Sequence, residues 1–179
     1  MSELDETPYR DADARLAAIL NRLDNLPTMP AADLALGERS LPLAVLDTNV
    51  VFDVWFWNDR HAQTLKAAIE QNRLKLVSTP SCLKEFAVVM QRPQFGLNEA
   101  QQDALLEAVL SAVTVARVSL EGLVRCRDED DEKFLNLAFE ARADYLFTKD
   151  KNVLRSGRKL VPLGTKTIRP ADFSNEPQS

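Results

Sequence analysis

Apolar and polar positions change their spacing several times along the chain, and each spacing predicts a type of secondary structure. Helical spacing over residues 10–24 predicts an amphipathic helix whose apolar face contains Leu16, Ile19, Leu20 and Leu23. The next segment, residues 26–42, contains three prolines, Pro27, Pro30 and Pro42, which are typical of a linker. We therefore expect an N-terminal helical extension and linker over residues 1–40, followed by a domain over residues 41–175.

Within this domain, short apolar runs alternate with stretches of helical spacing. The runs predict five strands, at residues 43–47, 74–78, 115–118, 144–148 and 159–163. The stretches between them predict helices over about 50–72, 80–91, 98–113 and 131–143, with Pro80 opening one and Asn98 capping another. Alternating strands and helices predict an α/β fold, a three-layer α/β/α sandwich on a mostly parallel sheet.

The composition is that of a soluble globular protein, since 45% of the 179 residues are hydrophobic and 27% are charged. The first residues are acidic and polar, unlike a signal peptide, and no apolar run approaches the roughly 20 residues that span a bilayer. Cys82 and Cys126 lie far apart, without the CxxC spacing of a zinc site, which suits a reducing compartment. We expect a cytoplasmic protein without a membrane segment.

The net charge of −5 counts against a nucleic-acid-binding protein, but the charges are unevenly distributed. Residues 149–169 contain seven basic side chains and one acidic side chain, whereas residues 127–133 contain five acidic and two basic ones. Each run is compatible with a solvated surface. The two runs are equally compatible with an acidic metal site beside a basic rim that binds phosphate.

Two aspartates follow predicted strands. Asp47 ends the first strand of the domain, and Asp150 lies two residues past the strand at 144–148. In open parallel sheets, ligands bind beyond the carboxyl ends of the strands. Either aspartate alone is equally well explained as the cap of the following helix. Two aspartates at comparable strand ends favour a binding site.

Two further acids come from predicted helices. A helix turns by about 100° per residue, which places Asp131 near the middle of the apolar stripe of its helix and Asp130 toward the edge of that stripe. Capping of this helix is the alternative role for Asp128, Asp130 or Asp131. Glu85 borders the apolar face of its helix, and an ordinary surface glutamate is the alternative there.

Four carboxylates in one cleft raise one another's pKa unless a cation is present. A site of carboxylates without His or Cys ligands indicates Mg²⁺ or Mn²⁺ and not zinc. Such a site can activate water for attack on a phosphodiester. Asn49 and Thr148, each two residues from a carboxylate, are candidates to hold the carboxylates or the water in place, and Thr48 is a further candidate to orient the water.

Several segments resemble the PIN domain, and more specifically the bacterial PIN proteins assigned as toxins of type II toxin–antitoxin modules: VLDTNVV, the helix with Glu85, RDEDDEKFLNLAFEARADYLFTKDKNVL and IRPADF. The resemblance covers residues 43–173. It implies a compact Rossmann-like sandwich, metal-dependent cleavage of single-stranded RNA by four acids, and a protein antitoxin as partner. By motif position the four acids, which are both catalytic residues and metal ligands, are Asp47, Glu85, Asp131 and Asp150, with Asp128 also in reach of the metal.

Three features depart from this family. Many relatives have Gly or Arg where this chain has Lys149, and Asn152 stands where a further Asp is common, which would weaken a second metal site. The first forty residues have no counterpart in the minimal domain, and their helix is expected to brace the sandwich, to reach a second subunit or to bind a partner. For contacts with RNA phosphates near the metal we expect Lys149, Lys151 and Arg155.

Other functions stay open at this point. A non-catalytic PIN module that binds RNA or protein would have lost an acid, and all four are present here. An aspartate-nucleophile phosphatase needs D-x-D-x-T, and Asn49 occupies the place of its second aspartate. A two-histidine mechanism is excluded because His61 is the only histidine. The aromatic residues 55–57 are expected at a homodimer interface, with the core and RNA stacking as alternatives.

Overall fold

The computed structural model describes residues 7–120 and 122–174. Its helices are α1 (Thr7–Asp24), α2 (Ala31–Leu34), α3 (Thr48–Trp55), α4 (Gln63–Glu70), α5 (Pro80–Val89), α6 (Glu99–Ala112), α7 (Glu132–Ala141) and α8 (Lys151–Ser156). Its strands are β1 (Met29–Pro30), β2 (Leu43–Leu46), β3 (Lys75–Ser78), β4 (Val113–Arg117), β5 (Tyr145–Phe147) and β6 (Lys166–Ile168). None of the described helices is both long and apolar enough to cross a membrane.

The strands form one sheet in the order β1-β4-β3-β2-β5-β6, and every strand pair in the described residues is parallel. Strand β2 lies between β3 and β5, so that Ala44 is level with Leu76 on one side and with Tyr145 on the other. The segments that follow β2, β3 and β5 therefore leave the sheet at the same edge. The predicted mostly parallel α/β sheet is confirmed.

Alternate residues of β2 face opposite layers of helices. Leu43 and Val45 are buried in one cluster with Leu135 of α7. Ala44 is buried in another cluster, with Val54 of α3 and residues of α4. Helices thus cover both faces of the sheet, which is the three-layer arrangement predicted from the alternation of elements.

Helix α1 packs against the rest of the domain. Leu23 is fully buried and Ile19 is 9% exposed, in a cluster with Phe86 of α5. One turn before Ile19, Arg15 forms an ion pair with Asp103 of α6, with 2.6 Å between the charged atoms. The helix was expected to brace the sandwich, to reach a second subunit or to bind a partner. These contacts within the chain are those of a helix that braces the sandwich.

The segment predicted as a linker contains structure of its own. Strand β1 pairs with β4, with Met29 level with Ala116, and α2 follows it directly. Pro30 is tolerated here because β1 is an edge strand, and an edge strand has one side without ladder hydrogen bonds. A boundary near residue 41 between extension and domain stays a prediction.

Both predicted helix starts are confirmed. Pro80 lies in the first turn of α5, where the side chain of Thr79 accepts a hydrogen bond from the amide of Cys82. Asn98 caps α6: its side chain accepts from the amide of Gln101, and the side chain of Gln101 accepts from the amide of Asn98. This reciprocal pair satisfies amides that a helix start otherwise leaves without partners.

The region predicted as helical over residues 50–72 contains two helices, α3 and α4, with a turn between them. Between them Asn58 adopts a left-handed conformation with φ of 49°, which asparagine tolerates better than most residues. The side chain of Asp59 then accepts a hydrogen bond from the amide of His61. These local turns interrupt a stretch whose apolar spacing alone is continuous.

The strand predicted at 159–163 is wrong, because Gly157–Leu163 forms 3-10 turns and the last strand is β6. Pro162 has no amide hydrogen to donate to a sheet ladder. Gly164, with φ of 87°, turns the chain toward β6. Strand β6 contains one apolar residue, Ile168, so no apolar run predicts it in the sequence.

Replacing Leu23 by alanine is expected to lower the free energy of unfolding by about 2–5 kcal/mol, because the substitution empties a fully buried site. Urea denaturation followed by circular dichroism measures this change. The same substitution at Leu36, which is 72% exposed, is the matched control and should cost less than about 0.5 kcal/mol. Equal costs at the two sites would contradict the packing of α1 into the core.

Candidate functional site

The two strand-end aspartates lie at neighbouring positions on one edge of the sheet. Asp47 directly follows β2, is 5% exposed and precedes α3 without capping it through its side chain. Asp150 follows β5 and caps α8, since its Oδ1 accepts hydrogen bonds from the amides of Asn152 (2.7 Å) and Val153 (3.1 Å). Because β2 and β5 are adjacent and parallel, both carboxylates reach the same cleft.

Thr148 connects these two aspartates. Its hydroxyl donates to Oδ2 of Asp47 over 2.7 Å and accepts from the amide of Asp150 over 3.1 Å. The threonine is fully buried, so water does not compete for these bonds. Thr148 was expected to hold a carboxylate in place, and its hydrogen bond to Asp47 is a contact of that kind.

Glu85 reaches the cleft from α5. Its Oε2 accepts a hydrogen bond from the hydroxyl of Thr48, and its Oε1 lies 3.0 Å from Nζ of Lys133. The ammonium group of Lys133 also donates to the carbonyl of Asp130 over 2.6 Å. Thr48, which the sequence indicated as a residue that orients water, thus contacts a carboxylate. Asn49, the candidate to hold a carboxylate or the water, is exposed.

Asp131 enters the cleft from the turn before α7. The segment Glu129–Asp131 is a 3-10 turn, so Asp131 precedes the helix in which the sequence placed it. Asp131 is half-buried and Asp130 is exposed. Helical spacing likewise placed Asp131 nearer than Asp130 to the middle of the apolar stripe. Asp128 opens the turn, and its Oδ1 accepts a hydrogen bond from the amide of Asp130 over 3.0 Å.

The carboxylates act on one another electrostatically. The pKa of Asp131 is raised to about 7, first by burial and then by the negative charges of Asp47, Asp128, Asp150 and Glu85. Burial also raises the pKa of Asp47, against the lowering effect of its hydrogen bonds from Thr148 and from the amide of Thr48; Glu85 and Asp150 add to the rise. These five acids form one acid cluster, which a cation would stabilise.

The acid cluster suits a hard divalent cation in its chemistry. All of its donors are carboxylate oxygens, which Mg²⁺ and Mn²⁺ prefer. In the part of the chain that the structure describes, however, no three Asp, Glu, His or Cys side chains are arranged to hold one ion together. Both oxygens of Glu85 and one oxygen of Asp150 accept one or more hydrogen bonds from protein donors. The residues fit the ion by charge and donor type.

The basic residues expected at RNA phosphates occupy different surroundings. Nζ of Lys149 lies 2.7 Å from Oδ2 of Asp53, a buried carboxylate of α3. Burying a charge is costly without a partner, so this lysine neutralises Asp53. Lys151 and Arg155 are exposed on α8. The sequence contained a signal for this ion pair that went unused: Asp53 interrupts the apolar run VVFDVW.

Sequence reasoning also missed Lys133. Its ammonium group is the partner of Glu85, yet the two residues lie 48 positions apart and on different helices. Local patterning holds no signal for such a contact. In the aromatic run, Trp55 is partly buried against the core and Trp57 is 52% exposed beside Phe95.

Comparison with known proteins gives three similarities. The sequence model of the family described as PIN domain matches residues 43–152. The uncharacterized protein MJ1680 of Methanocaldococcus jannaschii is 27% identical over 139 residues, which are 74% of this chain and 89% of that protein. A chain of VapBC2 from Rickettsia felis, solved bound to a DNA fragment from their promoter, is similar with a TM-score of 0.48 and 14% identity; the match covers 70% of this chain and 98% of that chain.

Replacing Thr148 by valine is expected to lower the free energy of unfolding by about 1–3 kcal/mol, because the buried carboxylate of Asp47 loses its hydroxyl partner. Serine at the same position keeps the hydroxyl and should restore most of that loss. Urea denaturation of the three proteins measures the effect. A serine variant as unstable as the valine variant would assign the loss to packing and not to the hydrogen bond.

Stability should depend on pH through Asp131. Its pKa of about 7 in the folded protein exceeds the ordinary value of 3.8, so between these values the folded state binds more protons than the unfolded state. The free energy of unfolding of the metal-free protein therefore receives a contribution that falls as pH rises from 3.8 to about 7 and is constant above. Asp131→Asn should remove this contribution, while Asp130→Asn, at an exposed neighbour, should retain it.

Urea midpoints at pH 5 and pH 8 in EDTA, compared between these variants and the parent, provide the measurement. An Asp131→Asn protein whose midpoint changes with pH as much as the parent's would refute the raised pKa.

Proposed function

Since the chain belongs to the PIN domain family, we propose that it is an endoribonuclease that cleaves single-stranded RNA with Mg²⁺ or Mn²⁺. The observation that carries this proposal is the convergence of Asp47, Glu85, Asp131 and Asp150 on one edge of the parallel sheet. They come from four different segments, and burial and mutual repulsion raise the pKa of Asp131 to about 7. Strongly perturbed carboxylates in a cleft are typical of functional sites.

The four acids would hold the divalent ion, with Asp128 next to them. A divalent ion supplies Lewis acidity there: it activates water for attack on phosphorus and offsets the negative charge on the oxygen that leaves. In the overall reaction, a bond forms between water oxygen and phosphorus, and the bond from phosphorus to one ribose oxygen breaks. The products are one phosphate end and one hydroxyl end.

The neighbouring polar groups keep the carboxylates in place. Thr148 orients Asp47, and the amides at the start of α8 orient Asp150. Thr48 and Lys133 together fix both oxygens of Glu85. Such supporting contacts fix the geometry of ligands and tune their affinity for metal.

We also propose that the protein is the toxin of a toxin–antitoxin pair, restrained by a cognate protein antitoxin, and that it works in the cytoplasm. The support is the resemblance of its D-T-N and D-D-x-x-x-L-x-x-A motifs to those of PIN toxins. A homodimer is proposed with Trp57, which is 52% exposed, at the subunit interface. Large exposed aromatic residues are enriched at such interfaces.

A non-catalytic PIN module that binds RNA or protein is the second candidate function. It is favoured by the way Glu85 is occupied by Thr48 and Lys133, and by the lack of a preformed three-ligand metal site among the described residues. In that case Lys133 would serve as a permanent counter-ion of the acid cluster.

Cleavage of a mixed single-stranded RNA pool in Mn²⁺, compared with EDTA, tests the proposed nuclease. Asp47→Asn and Asp131→Asn should each lower the cleavage rate by about 100-fold or more, because each removes a charge that stabilises the transition state through the ion. Asp33→Asn is the control and should cleave like the parent, since Asp33 is exposed on α2 and belongs neither to the cluster nor to its neighbouring segments. Undiminished cleavage by both cluster variants would refute the mechanism; RNA binding without cleavage by the parent would support the second candidate.

A further inference from the structure

A cavity of about 580 Å³ opens beside the acid cluster. It lies between the start of α5, the end of β4, the segment around residues 122–125 and the start of α7. The polar and charged side chains that matter for its chemistry are Ser81, Arg117, Arg125, Glu132, Lys133 and Asn136. Its volume is in the range of cavities that hold small organic ligands.

The cavity lies next to the acid cluster. Lys133 lines the cavity, and its ammonium group bonds Glu85. Asp130 also lines the cavity and precedes Asp131 in the chain. The cavity and the acid cluster are therefore neighbours that one extended ligand can contact together.

Three acidic and three basic side chains line the cavity, and both of its arginines are exposed. The side chain of Arg125 is 71% exposed and that of Glu132 is 11% exposed, with 3.7 Å between their charged atoms. Glu132 directs its Oε1 to the amide of Cys126. Arg117 is exposed and uses Nη1 to donate to the carbonyl of Thr28, which leaves its other nitrogens available.

Two further acids, Glu129 and Asp130, line the cavity next to Asp131. They place negative charge next to the acid cluster. Gly122 lines the cavity beside Arg125, and a Cβ at this position would be in ordinary van der Waals contact with the guanidinium, 3.6 Å from its carbon. Arg117 and Arg125 are the exposed cations of the cavity.

The wall that contains Arg125 is held by α7. Oδ1 of Asn136 accepts hydrogen bonds from the amides of Leu123 and Val124, each over 3.0 Å. Asn136 is itself 5% exposed, and its Nδ2 donates to the carbonyl of Glu132 over 2.8 Å. A wall that is fixed before binding reduces the entropy lost when a ligand binds.

We propose that this cavity binds a nucleotide of the single-stranded RNA adjacent to the phosphodiester that is cleaved, with its phosphate against Arg117 and Arg125. The inference rests on the proposed function for the identity of the ligand. Guanidinium groups bind phosphate oxygens with paired hydrogen bonds, which suits these arginines. This cavity is a phosphate site separate from Lys149, which is paired with Asp53.

Fluorescence anisotropy of a labelled single-stranded RNA tests the cavity in an Asp47→Asn background, where cleavage is blocked. Arg117→Gln with Arg125→Gln should weaken binding about 10-fold or more and reduce the slope of log affinity against log salt by about 0.7, from the one phosphate that the two arginines contact. The matched control is Arg73→Gln with Arg142→Gln. Both control arginines are exposed and precede β3 and β5, at the opposite edge of the sheet.

A second variant tests the cavity without removing a native contact of either arginine. Ser81 is exposed in the first turn of α5, where an added carboxylate favours the helix. Ser81→Asp should therefore fold normally and still weaken RNA binding, through repulsion of phosphate. Wild-type affinity in both Ser81→Asp and the arginine double variant would overturn the inference, as would an equal loss in the Arg73 and Arg142 control.

Failure of this inference differs from failure of the proposed nuclease. If the parent cleaves RNA and the two cavity variants cleave with an unchanged KM, the inference is wrong and the nuclease stands. If the parent binds RNA through the cavity and never cleaves it, the nuclease is wrong and the inference stands. A raised KM with little change in kcat in the cavity variants supports both.

Discussion

Repulsion between carboxylates at one edge of the parallel sheet is the constraint on which the arrangement of the site depends. The sheet brings the ends of β2 and β5 side by side, and the starts of the helices that follow lie at the same edge. Burial adds to the repulsion, so that the pKa of Asp131 reaches about 7 and that of Asp47 is raised as well. Such a cluster gains more from a bound divalent cation than an uncharged site would.

The chain offsets this repulsion with donors of three kinds. A buried hydroxyl, that of Thr148, serves Asp47; helix amides serve Asp150; and an ammonium group, that of Lys133, serves Glu85. Each donor occupies some carboxylate oxygens and leaves others free. The site can therefore have the right donors for Mg²⁺ or Mn²⁺ while no three side chains of the described ranges, 7–120 and 122–174, already surround one point.

Helix α7 connects the core, the acid cluster and the neighbouring cavity. Its apolar face, with Phe134, Leu135 and Ala138, is fully or almost fully buried against the sheet, which fixes the position of the whole helix. The polar side of the same helix holds the cavity wall through Asn136, and Lys133 in its first turn reaches Glu85. Packing of one helix thereby sets the distance between the carboxylates and the arginines of the cavity.

The sequence by itself determined the fold class and the acids of the cluster. Alternating strand and helix periods specify a parallel α/β sheet, and such a sheet directs the residue after each strand to one edge, which singled out Asp47 and Asp150. Only the tertiary structure decided the partners: Lys149 with Asp53, Lys133 with Glu85, and 3-10 turns at residues 157–163 where an apolar run suggested a strand. Periodicity records which face of an element is apolar, whereas an ion pair or a turn depends on which distant side chains the packed fold brings within a few ångströms.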